Sequence, residues 1–162
     1  MKKLLFTSLI ILMSTMLHAQ LSRIEGKWFT IDEDGNKKSL VKITKNSSGV
    51  YEGVILKLYT GNPDRKCDKC PGSQKNMPIV GLKIITDMKV DGKKISGGSI
   101  LDPATGKIYS CTISFDQDKG KLKVRGSLDK SGIIGRTQYW EFAGSRLRGE
   151  FSHCSNCSMN CC

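Results

Sequence analysis

Histidine is the scarcest of the residues that commonly carry catalysis in this 162-residue sequence, with two copies, His18 and His153. His18 falls in an apolar leader and His153 in a Cys-rich final stretch. A Ser-His-Asp or Cys-His site within the segment between them is therefore excluded, which removes the commonest general base. Phosphate-binding loops, dinucleotide fingerprints and His-based zinc-hydrolase motifs are also missing. The sequence predicts a protein that is not an enzyme.

Acidic residues are also in short supply, because 15 Asp and Glu face 26 Lys and Arg, a formal net charge of +11. The basic residues alternate with apolar ones, as in residues 121–125, which is typical of a solvated strand face. Aromatic residues do not interleave with them to form a stacking platform, so we expect no nucleic-acid partner. A basic outer face does favour peripheral contact with an anionic membrane.

The longest apolar run is short and lies at the start of the sequence. It covers residues 4–13, follows Lys2 and Lys3, and leads to a small residue, Ala19. A membrane-spanning helix needs roughly 20 apolar residues, so this anatomy favours a signal peptide. We expect residues 1–19 to be cleaved and the protein to be exported, to the periplasm or beyond the cell.

Hairpin signals fill the sequence after this leader. In the stretch 95–115, two strand-like runs are joined by residues 102–106, where Pro103 presets φ and Gly106 accepts a positive φ. The second run alternates with period two, and its apolar face holds Tyr109, Cys111, Ile113 and Phe115. Turn signals recur about every 8–12 residues and no convincing amphipathic helix is present. We predict one up-and-down antiparallel β-barrel of about eight strands, monomeric rather than oligomeric.

The predicted domain organisation follows from where the alternation of strands and turns begins and ends in the sequence. The signal peptide covers residues 1–19, the barrel residues 20–143, and a Cys-rich tail, which we expect to be disordered, residues 144–162.

Three residues are candidates for closing the barrel, because the first and last strands of a closed meander pair with each other. They are Gly26 and Trp28 in the first strand and Arg136 in the last, whose guanidinium is expected to stack on the indole. This pattern resembles the Gly-x-Trp and distant Arg of lipocalins and related calycins. The alternative is an ordinary core Trp and a surface Arg.

A more specific resemblance rests on several segments taken in order. They are residues 26–32, 67–70, 78–82, 98–109, 122–126 and 135–140. Their order and spacing resemble an exported bacterial family called domain of unknown function 2147, over residues 24–142. The resemblance implies a small calycin-like barrel with no established activity. The Cys-rich tail departs from the family pattern.

Such a barrel encloses either a binding pocket or a lumen filled by its own side chains. From strand parity alone, the candidate pocket residues are Val54, Leu56, Leu58, Val80, Leu82, Ile84, Leu122 and Val124. The leading hypothesis is a non-enzymatic binder of a small apolar or amphipathic ligand in the cell envelope. A structural envelope protein with a filled barrel is one alternative.

The seven Cys residues suggest a second alternative, a metal- or thiol-handling envelope protein. Cys67 and Cys70 have the spacing of a local disulfide, of half a zinc site completed by Cys111 or the tail, or of a redox pair. We favour the disulfide, since an exported chain meets an oxidising compartment. The tail offers soft ligands for zinc or cuprous copper: His153, Cys154, Cys157, Cys161 and Cys162. Elsewhere no cofactor is expected.

Overall fold

The computed structural model describes residues 21–129 and 134–144. Its eight strands are β1 (Gly26–Ile31), β2 (Lys37–Lys45), β3 (Tyr51–Leu58), β4 (Lys83–Asp91), β5 (Lys94–Asp102), β6 (Lys107–Asp116), β7 (Lys121–Ser127) and β8 (Gly135–Phe142). A one-turn 3-10 helix, Gly72–Gln74, lies between β3 and β4. The predicted signal peptide and the metal-ligand candidates of the tail lie outside the described residues.

The strands form a closed antiparallel barrel in the order of the sequence, as predicted. Closure comes from the pairing of β1 with β8, in which Trp28 lies opposite Phe142 and Phe29 opposite Glu141. Because each strand is paired on both sides, the barrel has no free sheet edge to template aggregation. Within the described residues, no helix is long and apolar enough to cross a bilayer.

The hairpin of β5 and β6 forms as the sequence predicts. Gly106 has φ +72° and its amide donates to the Asp102 carbonyl at 2.8 Å. The Asp102 carboxylate accepts from the Ala104 amide at 3.0 Å and from the Thr105 hydroxyl at 2.9 Å. These bonds fix the turn, and the apolar face of β6 then enters the core, with Cys111 and Ile113 buried.

One end of the barrel, where β1 begins and β8 ends, is filled with side chains, and we call it the closed end. Trp28 packs against Phe142 and Phe115, with ring centroids 5.2 and 6.3 Å apart. The indole Nε1 of Trp28 donates to the Ile24 carbonyl at 2.9 Å, so the segment before β1 is tied over this end. Trp28 is buried and the two phenyl rings are half-buried against it, so these rings cover the hydrophobic core at the closed end.

The structure differs from the predicted stacking of Arg136 on Trp28. Arg136 is near the start of β8, opposite Gly126, whereas Trp28 lies opposite the last residue of that strand. The two side chains are therefore placed towards opposite ends of the barrel. Arg136 is largely exposed and pairs with Glu33 at 2.7 Å. Over the closed end it is Arg23 that lies above an aromatic ring, 5.3 Å from the centroid of Phe115.

The predicted inward face of β3 is also corrected. Leu40 pairs with Lys57 and the next residue of β2 pairs with Ile55, so Leu56 is an extra residue, a β-bulge. The bulge breaks the period-two pattern, and both Ile55 and Leu58 face the interior. Leu56 is 38% exposed, and Val54 is only half-buried.

Strand β4 starts later than the pattern of apolar residues around Val80 indicates. Gly81 has φ +92° and donates to the Ile55 carbonyl at 2.8 Å, while the Leu82 amide donates to the Ile79 carbonyl at 3.2 Å. This turn buries Ile79 and Leu82 and leaves Val80 37% exposed. Val80 is therefore a surface residue.

Candidate ligand-binding cup

The end of the barrel opposite the closed end holds a cavity of about 510 Å³, and we call this end the mouth. Its apolar wall includes Ile55, Leu58, Ile84, Ile100, Val124 and Trp140, which come from five different strands. The volume falls within the range of about 300–1,000 Å³ that is usual for small-molecule pockets. The barrel is therefore a cup with one packed end and one hollow end.

Three of the eight predicted pocket residues line this cavity: Leu58, Ile84 and Val124. Leu82 and Leu122 are buried in the core but do not contribute to the cavity wall. The remaining three, Val54, Leu56 and Val80, are the residues that the bulge and the turn leave outside the wall.

Sequence reasoning missed several wall residues. In an uninterrupted alternation Ile55 would lie on the face opposite Val54 and Leu56, and Ile100 lies in a polar, Gly-rich strand whose sequence does not define an inner face. Trp140 lies in a strand of mixed polar and aromatic residues. Its pairing with Leu122, a core residue, is what fixes its inward orientation, and that pairing is invisible in either strand alone.

Two pairs of polar side chains in the wall are hydrogen-bonded within the pair. Thr30 and Ser39 share a hydrogen bond of 2.7 Å between their hydroxyls, and the Ser39 amide donates to Thr30 Oγ1 at 3.0 Å. The Trp140 indole donates to Gln138 Oε1 at 3.3 Å. Since buried polar groups need partners, these bonds let the wall carry polar residues without leaving them unsatisfied.

The segment between β3 and β4, residues 59–82, forms part of the mouth, and we call it the mouth loop. It contributes Arg65 and Ile79 to the cavity wall. The structure contains a disulfide between Cys67 and Cys70, both buried. The Cys67 amide donates to the Met77 carbonyl at 2.8 Å, and its carbonyl accepts from Asn76 at 2.8 Å. These bonds fold the loop back on itself.

The mouth loop packs on the turn between β5 and β6. The Sγ of Cys67 lies 3.4 Å from the Pro103 carbonyl oxygen. Pro103 and Ala104 of that turn also belong to the cavity wall. Two separate chain segments thus meet at the mouth, and the disulfide lies in their contact.

Cys111 is a free buried thiol in β6. Burial raises its pKa to about 12, so the thiolate needed for metal binding or redox exchange is strongly disfavoured. Among residues 21–129 and 134–144, no group of three or more His, Cys, Asp or Glu side chains is arranged to hold a metal ion. Cys67 and Cys70 are joined in a disulfide, so the zinc half-site completed by Cys111 is not formed in this part of the chain, and its completion by the tail lies outside the described residues.

Carboxylates of the turns and strands near the cavity have structural partners of their own. Asp32 accepts from the amides of Asp34 and Asn36 at 3.0 and 2.7 Å, which caps a turn. Glu52 pairs with Lys83 at 2.8 Å, so it does not project into the lumen. The cavity wall includes one carboxylate, Asp102, which is engaged in its own turn.

A closed eight-stranded meander with an apolar cavity at one end defines a lipocalin-like barrel. The chain belongs to the family described as "Uncharacterized protein conserved in bacteria (DUF2147)", whose model matches residues 26–141.

Among solved structures, the chain is similar to one described as "Protein HP1028 from the human pathogen Helicobacter pylori belongs to the lipocalin family". The two are 22% identical, with a TM-score of 0.66, over 75% of this chain and 83% of the other. At this identity the likeness concerns the fold alone. Among curated proteins, none matches the sequence.

Proposed function

We propose that this protein is a non-enzymatic binder of a small apolar or amphipathic molecule. The observation that supports the proposal is the cavity of about 510 Å³, which is lined mainly by aliphatic side chains and the rings of Tyr109 and Trp140 and opens at the mouth. Water in such a space has few polar partners, so an apolar ligand that displaces it gains free energy. The Cys67–Cys70 disulfide and the leader at residues 1–19 support a further part of the proposal, that the protein acts in the cell envelope. That it acts there as a monomer is supported by the closed barrel, which offers no free strand edge to a second copy.

The test is binding of N-phenyl-1-naphthylamine, a neutral dye whose fluorescence rises in apolar surroundings. Leu58→Trp places a bulky ring in the cavity, whereas Leu56→Trp places the same ring on the outside of the same strand. We expect the wild type and Leu56→Trp to bind the dye and Leu58→Trp to bind it at least about tenfold more weakly. A wild type that does not bind the dye, or two variants that bind it equally, would contradict the proposal.

The metal-handling alternative depends on the tail, which lies outside the described residues. It is tested by the metal content of the full-length protein purified from the periplasm and of a variant lacking residues 150–162. We expect neither preparation to hold stoichiometric zinc or copper. Stoichiometric metal that is lost on deletion would assign a metal site to the tail.

A further inference from the structure

Charge is distributed unevenly over the wall of the cup. The four charged residues of the wall all lie at the mouth, at strand ends or in the mouth loop: Lys38, Arg65, Asp102 and Arg136. The rest of the wall is uncharged: most of its side chains are apolar, and its polar groups are neutral ones such as those of Thr30, Ser39 and Gln138. A ligand that fills the cup is therefore expected to place an apolar part inside and a polar part at the mouth.

Within the cavity wall, three cationic residues stand against one carboxylate. Asp102 accepts two hydrogen bonds within its turn, and Glu33 pairs with Arg136. In the part of the chain that the structure describes, neither Lys38 nor Arg65 forms an ion pair. Two cationic side chains without a carboxylate partner thus border an apolar cavity.

The mouth also carries apolar side chains with little cover of their own. Leu128 and Ile134, at the two ends of the β7–β8 connection, are 69% and 64% exposed, and both belong to the cavity wall. A small hydrophilic anion would leave them in water, whereas the first methylene groups of an amphiphile would cover them. This feature favours an anion that is attached to an apolar chain.

We infer that the cup takes an amphiphile with an anionic head, either a carboxylate or a phosphate monoester. Lys38 and Arg65 bind the head at the mouth, and the apolar chain lies against Ile55, Ile84 and Val124. This inference rests on the proposed function and adds the chemical class of the ligand. An arginine suits both heads, because its guanidinium donates two parallel hydrogen bonds to carboxylate or phosphate oxygens.

The test compares ligands of one chain length as competitors of N-phenyl-1-naphthylamine: dodecanoate, dodecyl phosphate, 1-dodecanol and dodecyltrimethylammonium, each below its micelle-forming concentration. We expect dodecanoate or dodecyl phosphate to compete about tenfold better than the alcohol, and the cation to compete worst. Raising the salt concentration should reduce the difference in affinity between the anionic ligands and the alcohol. Preference for the phosphate points to a lipid-derived head and preference for the carboxylate to a fatty acid, and either supports the inference.

Variants separate the mouth from the general charge of the protein. The double variant Lys38→Gln with Arg65→Gln should bind the favoured anion about tenfold more weakly than the wild type does. Its affinity for 1-dodecanol should stay within about twofold of the wild-type value. The matched control is Lys42→Gln with Lys89→Gln, which removes the same charge from exposed positions of β2 and β4 outside the cavity wall. This control variant should bind each of the four ligands with an affinity within about twofold of the wild-type value.

The possible failures are distinguishable. If the four ligands compete equally, or if mouth and control variants weaken anion binding to the same extent, the inference is overturned while the binding function stands. If no ligand competes and Leu58→Trp leaves dye binding unchanged, the proposed function fails with it.

Discussion

Gly106 packs directly against the backbone of Lys69, so closely that a Cβ at this glycine would overlap the Lys69 carbonyl. Gly106 belongs to the turn between β5 and β6, and Lys69 lies inside the four-residue ring closed by the Cys67–Cys70 disulfide. The contact therefore joins the two segments that border the mouth. Its closeness depends on the absence of a side chain at residue 106.

Gly106→Ala is expected to destabilise the protein and to weaken ligand binding, because the new methyl pushes the mouth loop away. The control is Gly92→Ala in the β4–β5 turn, which has a similar positive φ of 60° but nothing within 4 Å of the new Cβ. Gly106→Ala should lower the free energy of unfolding by about 1–3 kcal/mol more than Gly92→Ala does. Thermal unfolding measures this, and equal losses would show that only backbone strain matters.

Reduction of the Cys67–Cys70 disulfide is expected to loosen the mouth loop. Closing such a short ring contributes about 2 kcal/mol in the chain-entropy view. Arg65, Lys66, Lys69 and Lys75 are trypsin sites within or beside this ring. Cys67→Ser with Cys70→Ser should therefore be cut in the mouth loop faster than the wild type, which mass spectrometry of a tryptic time course detects. An unchanged rate of cleavage would contradict this role of the disulfide.

Cys111 is expected to be unreactive in the folded protein. Burial raises its pKa from 9.0 to about 12, and the thiolate is the reactive form. Ellman's reagent at pH 8 should titrate the same number of thiols in folded wild type and folded Cys111→Ser, and one more in the wild type after denaturation. A difference of one thiol between the folded proteins would contradict the burial.

The same shift makes stability depend on alkaline pH. The unfolded thiol loses its proton near pH 9 and the folded one only near pH 12, so the folded state binds more protons in between. Stability therefore falls as pH rises through this window. Cys111→Ala should flatten this part of the denaturation profile, which urea titrations between pH 8 and 10.5 measure.

Loss of the Arg136–Glu33 ion pair is expected to change ligand binding more than stability. Both side chains are mostly exposed, so Glu33→Gln should change the free energy of unfolding by less than about 1 kcal/mol. It frees a third cation at the mouth and should tighten dodecanoate binding about threefold. The control is Glu141→Gln, which breaks the Lys121–Glu141 pair outside the cavity wall and should leave binding unchanged.

The fold was predictable because its signals are local. The turn at residues 102–106 and the alternation of β6 are both contained in short stretches of sequence, and both form as expected. The wall of the cavity depends on non-local facts. The bulge at Leu56 is defined by where β2 pairs, and it exchanges the inner and outer faces of half of β3.

The position of Arg136 illustrates the same limit. That β1 and β8 pair follows from closure, but which residues lie opposite each other depends on the register of the whole barrel. The register places Phe142, rather than Arg136, beside Trp28. The sequence pattern identifies β1 and β8 as strands, but it does not show which residues of the two strands lie opposite each other.

Different residues form the packed core at the closed end and the wall of the cavity at the mouth. Trp28, Tyr51, Met88, Ile95 and Ile113 are fully or almost fully buried and none belongs to the cavity wall. The residues that hold the barrel together are thus largely separate from those that would touch a ligand. A change of ligand preference then requires substitutions only around the mouth and cavity, so this architecture lets specificity diverge during evolution while the scaffold is conserved.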